Sequence, residues 1–455
     1  MPCQLSVTQL VDILAATPSN LPETTASAIC TGITTDTRSL KPGNVFLALC
    51  GEKFDGHDFA NMAIAQGAIA VITERNKGSQ LNGIPQLQVE DTLQAYQTIA
   101  RWWRDQFDIP VIAVTGSVGK TTTKELIAAV LSTTGNVLKT QANYNNEIGV
   151  PKTLLELGPE HDYAVIEMAM RGAGQIAELT HIAHPTVSVI TNVGTAHIGL
   201  LGSEDAIARA KCELLAEMPA DAIAVLNQDN QRLIETAATV WQGKTLTYGL
   251  EGGNLQGKLI DSQTLEVEGM QLLLPLPGRH NALNYLAALA VARLLDVDWA
   301  PLSKGLAVEL PSGRSRRYNL PDDIVILDET YNAGLESMLA ALHLLAQTPG
   351  KRHIAVLGTM KELGERSPEF HHQVGETARE LNLDALLVLV DDAEAEAIAQ
   401  GAVPLPAECF SSHEAVVQRL QELVQPGDRL LFKASRSVGL DRVVNQFREA
   451  ISGSS

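Results

Sequence analysis

Residues 111–126 read VIAVTGSVGKTTTKEL, and this stretch decides the fold. Its first four residues are apolar without interruption, the pattern of a strand covered on both faces. The chain then turns on Gly116 and Gly119, and helix-forming text starts at Lys120. At such a strand–turn–helix junction the backbone N–H groups of Thr115, Gly116, Ser117, Val118 and Gly119 converge, and the helix start adds partial positive charge. Lys120 is placed to reach β/γ-phosphates, and Thr121 or Thr122 to set a hydroxyl on Mg2+. The longer GxxxxGK[ST] pattern asks for glycine where Val114 stands, so this is the shorter TGxxGK[ST] form. A chance glycine turn before an ordinary helix is the competing explanation, and the GKTT run in its strand–helix setting outweighs it.

Outward from this loop the text alternates. The strand candidates YAVIEMA, TVSVITNV and AIAVLN follow, separated by helical segments, and HNALNYLAALAVARLL closes the block. Strands alternating with helices predict a parallel sheet with helices on both sides. PSGRSRR, residues 311–317, reads as a hinge, and DIVILDE, HIAVLGTM, ALLVLV and RLLFKAS repeat the alternation beyond it. Before the loop, short strands and turns end near the helical LQAYQTIARWWRDQF. The expected architecture is α/β with three domains: residues 1–106, a central phosphate-loop domain over 107–313, and a Rossmann-like domain over 314–455.

Bulk properties narrow the function. A chain of 455 residues exceeds one ordinary core. Its net charge of -19 argues against general nucleic-acid binding, which needs a basic face. Five cysteines, Cys3, Cys30, Cys50, Cys212 and Cys409, form no CxxC pair, as expected of free thiols in a reducing compartment. The N-terminus lacks the basic start and long apolar run of a signal peptide, and no segment has the apolar length of a membrane span. A cytoplasmic protein is expected, and nothing in the sequence demands more than a monomer.

Glu167 ends one strand candidate, His197 follows the next, and Lys211 lies on the helix after that. The carboxyl ends of parallel strands are where ligands sit, the same edge as the phosphate loop. A carboxylate there can take the Mg2+ of bound ATP. Singly, each residue is as readily a cap, a structural histidine or a solvated lysine; their succession behind a phosphate loop favours a site.

An ordered series of blocks extends the pattern along nearly the whole chain: TDTRSLKPGNVFLALCGEKFDGHDF, TGSVGKTTTKE, NYNNEIGVPKTLL, EMAMRGAGQIAELT, NVGTAHIGLLGSEDAIARAKCELL, GRHNALNYLAA, DETYNAGLESM, VLGTMKELGERS and KASRSVGLDRVV. In this series the chain resembles the Mur ligases. The resemblance implies one domain for a UDP-sugar peptide, one for ATP and a Rossmann-like third. It implies that ATP activates the terminal carboxylate of a UDP-N-acetylmuramoyl-tripeptide as an acyl phosphate for attack by an amine. The NYNNEIGVP and DETYN blocks imply the branch whose amine is D-alanyl-D-alanine. By position, Lys120 matches the phosphate-binding lysine, Thr121 a Mg2+ ligand, Glu167 and His197 metal-holding residues, and Lys211 the lysine that CO2 converts to a carbamate. Asn281 resembles the adenine contact, supported by Asn284. Arg314 and Asp328 fall where the family meets phosphate and ribose, beside Tyr331 and Asn332. Asp36, Arg38, Asn143, Asn145 and Asn146 are the candidates for the sugar-peptide.

The chain departs from the family's usual YNANP, VLGDM and KGSRS at Gly334, Thr359 and Ala434, and carries Ala169 and Gln175 for a glycine and an acid. A sister ligase adding another amino acid, or a folylpolyglutamate synthase, is the alternative within the family, although no DNPR-type block is present. A nucleotide switch would need an NKxD-type loop, which is missing. A silent scaffold would be expected to have lost Lys120, Glu167 or His197.

Overall fold

In the computed structural model, residues 3–51, 53–78, 81 and 83–452 are described. Three larger sheets follow one another along the chain, beside a two-stranded antiparallel pair of Leu5–Ser6 and Ile29–Cys30. The strand Val111–Thr115 is buried at every position and sits inside a nine-stranded sheet. On one side of it run Tyr163–Glu167 and Val137–Lys139; on the other run Val187–Ile190, Ile223–Asn227, Lys244–Gly249 and Leu255–Leu259, all parallel. Thr264–Val267 and Met270–Leu273 then continue the sheet antiparallel, a hairpin edge that the alternating βα text does not announce.

Two helices cover one face of this sheet. Lys120–Leu131 grows directly from the phosphate loop, and Arg279–Leu294 lies against it. The second helix is apolar almost all round, because it is walled in by the sheet and by its neighbour. Thr123 Oγ1 donates to Asn284 Oδ1 at 3.2 Å, tying the two together. The other face is closed by helices Gln175–Ala183 and Glu204–Glu217 and shares one continuous apolar core with the first sheet.

The first sheet has the order Thr17–Ser19, Gln86–Val89, Ala70–Glu74, Val45–Leu47, Ile33–Thr34, with the last four parallel. Its exit helix Thr92–Arg104 begins at an Asp91 cap and lies along the central unit. Trp103 Nε1 donates to Leu157 O and Arg104 Nε to Ala183 O, both at 3.0 Å. The third sheet has six strands in the order Arg316–Leu320, Ile324–Asp328, Asp428–Lys433, Arg352–Gly358, Ala385–Leu389, Ala407–Phe410. Its first strand is antiparallel and the rest are parallel. That first strand includes Arg316 and Arg317, so the stretch read as a hinge becomes sheet edge after Ser315. No helix among the described residues is long and apolar enough to cross a membrane.

Candidate active site

The central and third sheets turn their strand ends toward a shared cleft of about 1040 Å3. Its central wall starts at the loop after Val111–Thr115. Gly116 has φ 150° and Gly119 φ 84°, and a Cβ there would meet Thr191 Oγ1 at 1.9 Å and Asn284 Oδ1 at 2.6 Å. Both positions therefore need glycine. Asn192 pins the loop from the neighbouring strand end, accepting from Val118 N at 3.0 Å while its backbone carbonyl accepts from Ser117 N at 3.0 Å. Thr123 N bonds back to Gly119 O, so the amides of Lys120, Thr121 and Thr122 form the first helical turn, without an intrahelical acceptor. Lys120 Nζ lies over the loop, donating to Gly116 O at 2.7 Å and Ser117 O at 3.2 Å. Burial pushes its ammonium down to about 8, partly opposed by the Glu167 carboxylate. An anionic phosphate at this spot would restore the full charge.

Glu167 ends its strand at 2% exposure. Its Oε1 accepts from Asn145 Nδ2 at 2.8 Å, whereas Oε2 is buried without a hydrogen-bond partner. Behind it, Lys124 Nζ stands 3.9 Å from Oε2, donates to Thr140 O and pairs with Glu125 at 2.8 Å. A buried carboxylate oxygen with no donor is costly, by about 1–3 kcal/mol or more. Glu167 and Thr121 line the same cleft, and oxygen donors of this kind would hold a divalent cation that removes that cost, so the donor set fits Mg2+. His197 lines the same cleft at φ 68°, and burial lowers the affinity of its imidazole for a proton. Lys211 is buried and not among the residues lining the cleft, and its ammonium makes no hydrogen bond or ion pair among the described residues. Burial, with Lys120 adding to it, drives its ammonium strongly toward the neutral amine.

The third unit supplies the facing wall. The Arg314 guanidinium stacks 3.8 Å over the Tyr331 ring, and both residues line the cleft. Asp328 does not line it. Its buried carboxylate accepts from Thr330 N at 3.1 Å and Thr330 Oγ1 at 2.6 Å, which braces the turn that presents Tyr331. Asn281 lines the cleft with its amide engaged by Pro277 O at 2.8 Å and Asn284 at 3.3 Å. Asn143, Asn145 and Asn146 reach the rim, Asn146 also accepting from Gly149 N at 2.9 Å.

Asp36 and Arg38 stand apart. They pair with each other at 2.7 Å on an exposed turn of the first sheet, outside the cleft lining. The Arg38 guanidinium, with a smaller contribution from Lys152, holds the Asp36 carboxyl below its usual range.

Several lining residues escaped the sequence reading. Lys433 is buried and donates to Asn332 O at 2.9 Å; its block was recognised, but a lysine at a strand end is indistinguishable there from a solvated one. Glu336 accepts from Thr195 N at 2.6 Å, and Glu362 meets His197 Nδ1 at 2.5 Å. Both contacts cross between units more than a hundred residues apart, beyond any local pattern. Two departures find partners: Gln175 Oε1 accepts from Arg171 N at 2.6 Å, and Thr359 Oγ1 bonds Asp391. The first sheet also gathers Cys50, Asp55 and His57 within 4.8 Å, but the Lys77 ammonium already bonds Asp55 at 2.7 Å and Cys50 at 2.9 Å.

The Mur ligase family, catalytic domain, matches residues 30–103; the Mur ligase middle domain matches 114–292; the Mur ligase, glutamate ligase domain, matches 313–436. A Synechocystis protein called UDP-N-acetylmuramoyl-tripeptide--D-alanyl-D-alanine ligase is 62% identical over 91% of both chains. An Escherichia coli protein of the same name is 38% identical over 98% of both. Among solved structures, MurF from Acinetobacter baumannii superposes with a TM-score of 0.89 at 32% identity, covering 98% of this chain and 99% of that one. MurF ligase from Thermotoga maritima in complex with ADP gives 0.84 at 33%, covering 93% and 98%. Matched along its length by three Mur ligase domain models and by a relative 62% identical over 91% of both chains, the chain belongs to the Mur ligase family.

Proposed function

We propose that this chain joins D-alanyl-D-alanine to UDP-N-acetylmuramoyl-tripeptide, with cleavage of ATP to ADP and phosphate. The observation that carries the reading is one cleft holding a phosphate loop, a buried Glu167 oxygen that accepts no hydrogen bond, and the Asn143–Asn146 rim together. The names of the Synechocystis and Escherichia coli relatives, at high coverage, specify the two substrates.

The chemistry follows from the residues. A carboxylate has a poor leaving group, so its oxygen first takes the γ-phosphoryl group, the β–γ P–O bond breaks and ADP is released. The amine of D-alanyl-D-alanine then forms the C–N bond, phosphate departs with the acyl C–O bond pair, and the amine's proton is lost to solvent. The first-turn amides and Lys120 hold the phosphates and offset the charge that grows on the transferred group. Arg314, stacked on Tyr331, faces them from the other wall. Thr121 and Glu167 would hold one Mg2+, with His197 and Lys211 serving a second, and the ions neutralise phosphate charge when bound. Lys211 suits that task as a carbamate: its buried neutral amine can add CO2, losing a proton and becoming an anion.

Residues 1–106 are assigned to the UDP-sugar peptide, 107–313 to ATP and 314–455 to closure over it. ATP and a UDP-linked substrate place the reaction in the cytoplasm. The test is phosphate release from ATP with purified protein, omitting each substrate in turn. Release that requires the tripeptide and D-alanyl-D-alanine together supports the reading. Release with a different amino acid instead would overturn the substrate assignment.

A further inference from the structure

His197 and Glu362 meet across the two walls in a way the chemistry above does not use. His197 sits at φ 68° and Glu362 at φ 65°, both in the left-handed region that non-glycine residues seldom occupy. Their side chains touch at 2.5 Å between His197 Nδ1 and Glu362 Oε2. The backbones interlock at the same place. Gly199 N donates to Glu362 O at 3.1 Å, and a Cβ on Gly364 would stand 2.7 Å from Gly199 Cα. Two unfavourable backbone conformations, one on each unit, are thus held by a single close-packed contact.

The contact has a chemical consequence. A carboxylate on Nδ1 makes that nitrogen the N–H donor, which leaves the Nε2 lone pair free. The imidazole has no other hydrogen bond among the described residues, and it borders the cleft. Glu362 is therefore the one hydrogen-bond partner that orients the ring among the described residues, and it comes from the facing unit.

We propose that Glu362 is a positioning residue, which fixes the tautomer and direction of His197 only when the third unit is seated on the 194–199 loop. Metal-site assembly and docking of that unit are then one event. The inference rests on the reading of His197 as a metal-holding residue. It explains why a glutamate without any place of its own in the chemistry sits at a strained turn on the opposite wall.

The test is Mn2+ binding to the ADP complex of the full chain, followed by electron paramagnetic resonance. It compares the native chain, His197→Ala, Glu362→Ala, Glu362→Gln and the double alanine variant, with thermal melts to show that each is folded. His197→Ala is expected to weaken Mn2+ binding. Glu362→Ala should weaken it ~10- to 100-fold, the range for an outer partner of a metal-bound histidine. Glu362→Gln, which still accepts from Nδ1–H without charge, should fall between, and the double variant should be no weaker than His197→Ala. Native-like binding by Glu362→Ala alongside weakened His197→Ala would overturn the positioning role. A further loss from Glu362→Ala in the His197→Ala background would overturn it too. Native-like binding by His197→Ala would remove the reading of His197 itself.

Discussion

The two walls of the cleft are built on different principles. On the central wall the polar groups are set by local chain geometry: a glycine turn, the first turn of a helix, the last residue of a strand. Lys120, Thr121 and Glu167 are placed by the central unit's own loop, helix and strand, and Glu167 and Lys211 are buried. On the facing wall, Arg314 and Tyr331 sit beside the chain crossing between units, and the wall is seated by Glu336 on Thr195 and Glu362 on His197. The central wall thus holds the phosphate loop and the buried carboxylate, and the facing wall meets it through side-chain contacts made only where the two units touch. An enzyme that must keep water from an acyl phosphate would gain from such a division if the cleft closes before the intermediate forms, an expectation the scattering measurement below tests.

The largest effect is expected where the central wall loses its cation. Lys120→Met should lower turnover ~100- to 1000-fold, the range for removing one preorganised charge-stabilising group. The same variant should melt at a higher temperature, because burial lowers the folded pKa to about 8 from the ordinary 10.5. The unfolded chain then binds the proton more tightly, so the native lysine destabilises the fold most below about 8 and progressively less as pH rises toward 10.5. The stability gain of the variant should therefore shrink across that window, as pH-dependent melts would show. A gain independent of pH would mean that the lysine is not desolvated.

Lys211→Ala should lose most of its turnover, no more than Lys120→Met does, and a small carboxylic acid should restore part of it by replacing the carbamate. Full activity without added acid would remove Lys211 from the site. On the facing wall the effect should be smaller. Glu336→Ala should lower kcat ~10-fold, equivalent to losing about 1.4 kcal/mol of docking, and leave ATP binding unchanged. Small-angle scattering with ATP and tripeptide should show fewer closed molecules in this variant. An identical envelope for the native chain with and without these substrates would contradict closure altogether. The smallest effect is expected outside both walls: Asp36→Ala should raise the KM for the UDP substrate ~5-fold, as expected for an exposed, solvent-screened pair, with the KM for ATP unchanged. A change in ATP affinity instead would move Asp36 to the nucleotide site.

What the sequence made legible follows the same division. The strand 111–115, its loop and its helix could be read because burial on both faces leaves an uninterrupted apolar run, and because the turn admits only glycine at two positions. Glu167 could be found because strand ends are where a parallel sheet presents ligands. The hairpin 264–273 and the edge strands 316–320 and 407–410 were missed: half-exposed edge strands carry mixed polar text that resembles loops. That the Asp328 carboxylate bonds Thr330 and braces the turn presenting Tyr331 was not legible, because it depends on how the residues after the strand fold back. Glu336 and Glu362 carry no signature, because their partners lie on another unit and only the folded chain brings them together.

The central claim is that the cleft joins an acid to an amine through phosphorylation of the acid, and isotope transfer tests it most directly. The terminal carboxylate of UDP-N-acetylmuramoyl-tripeptide would be labelled with heavy oxygen and the released phosphate analysed by mass after turnover with ATP and D-alanyl-D-alanine. The account predicts one labelled oxygen in the phosphate for each amide bond formed, because that oxygen bridges carbon and phosphorus before the amine displaces it. Unlabelled phosphate released in step with amide formation would contradict the acyl-phosphate route.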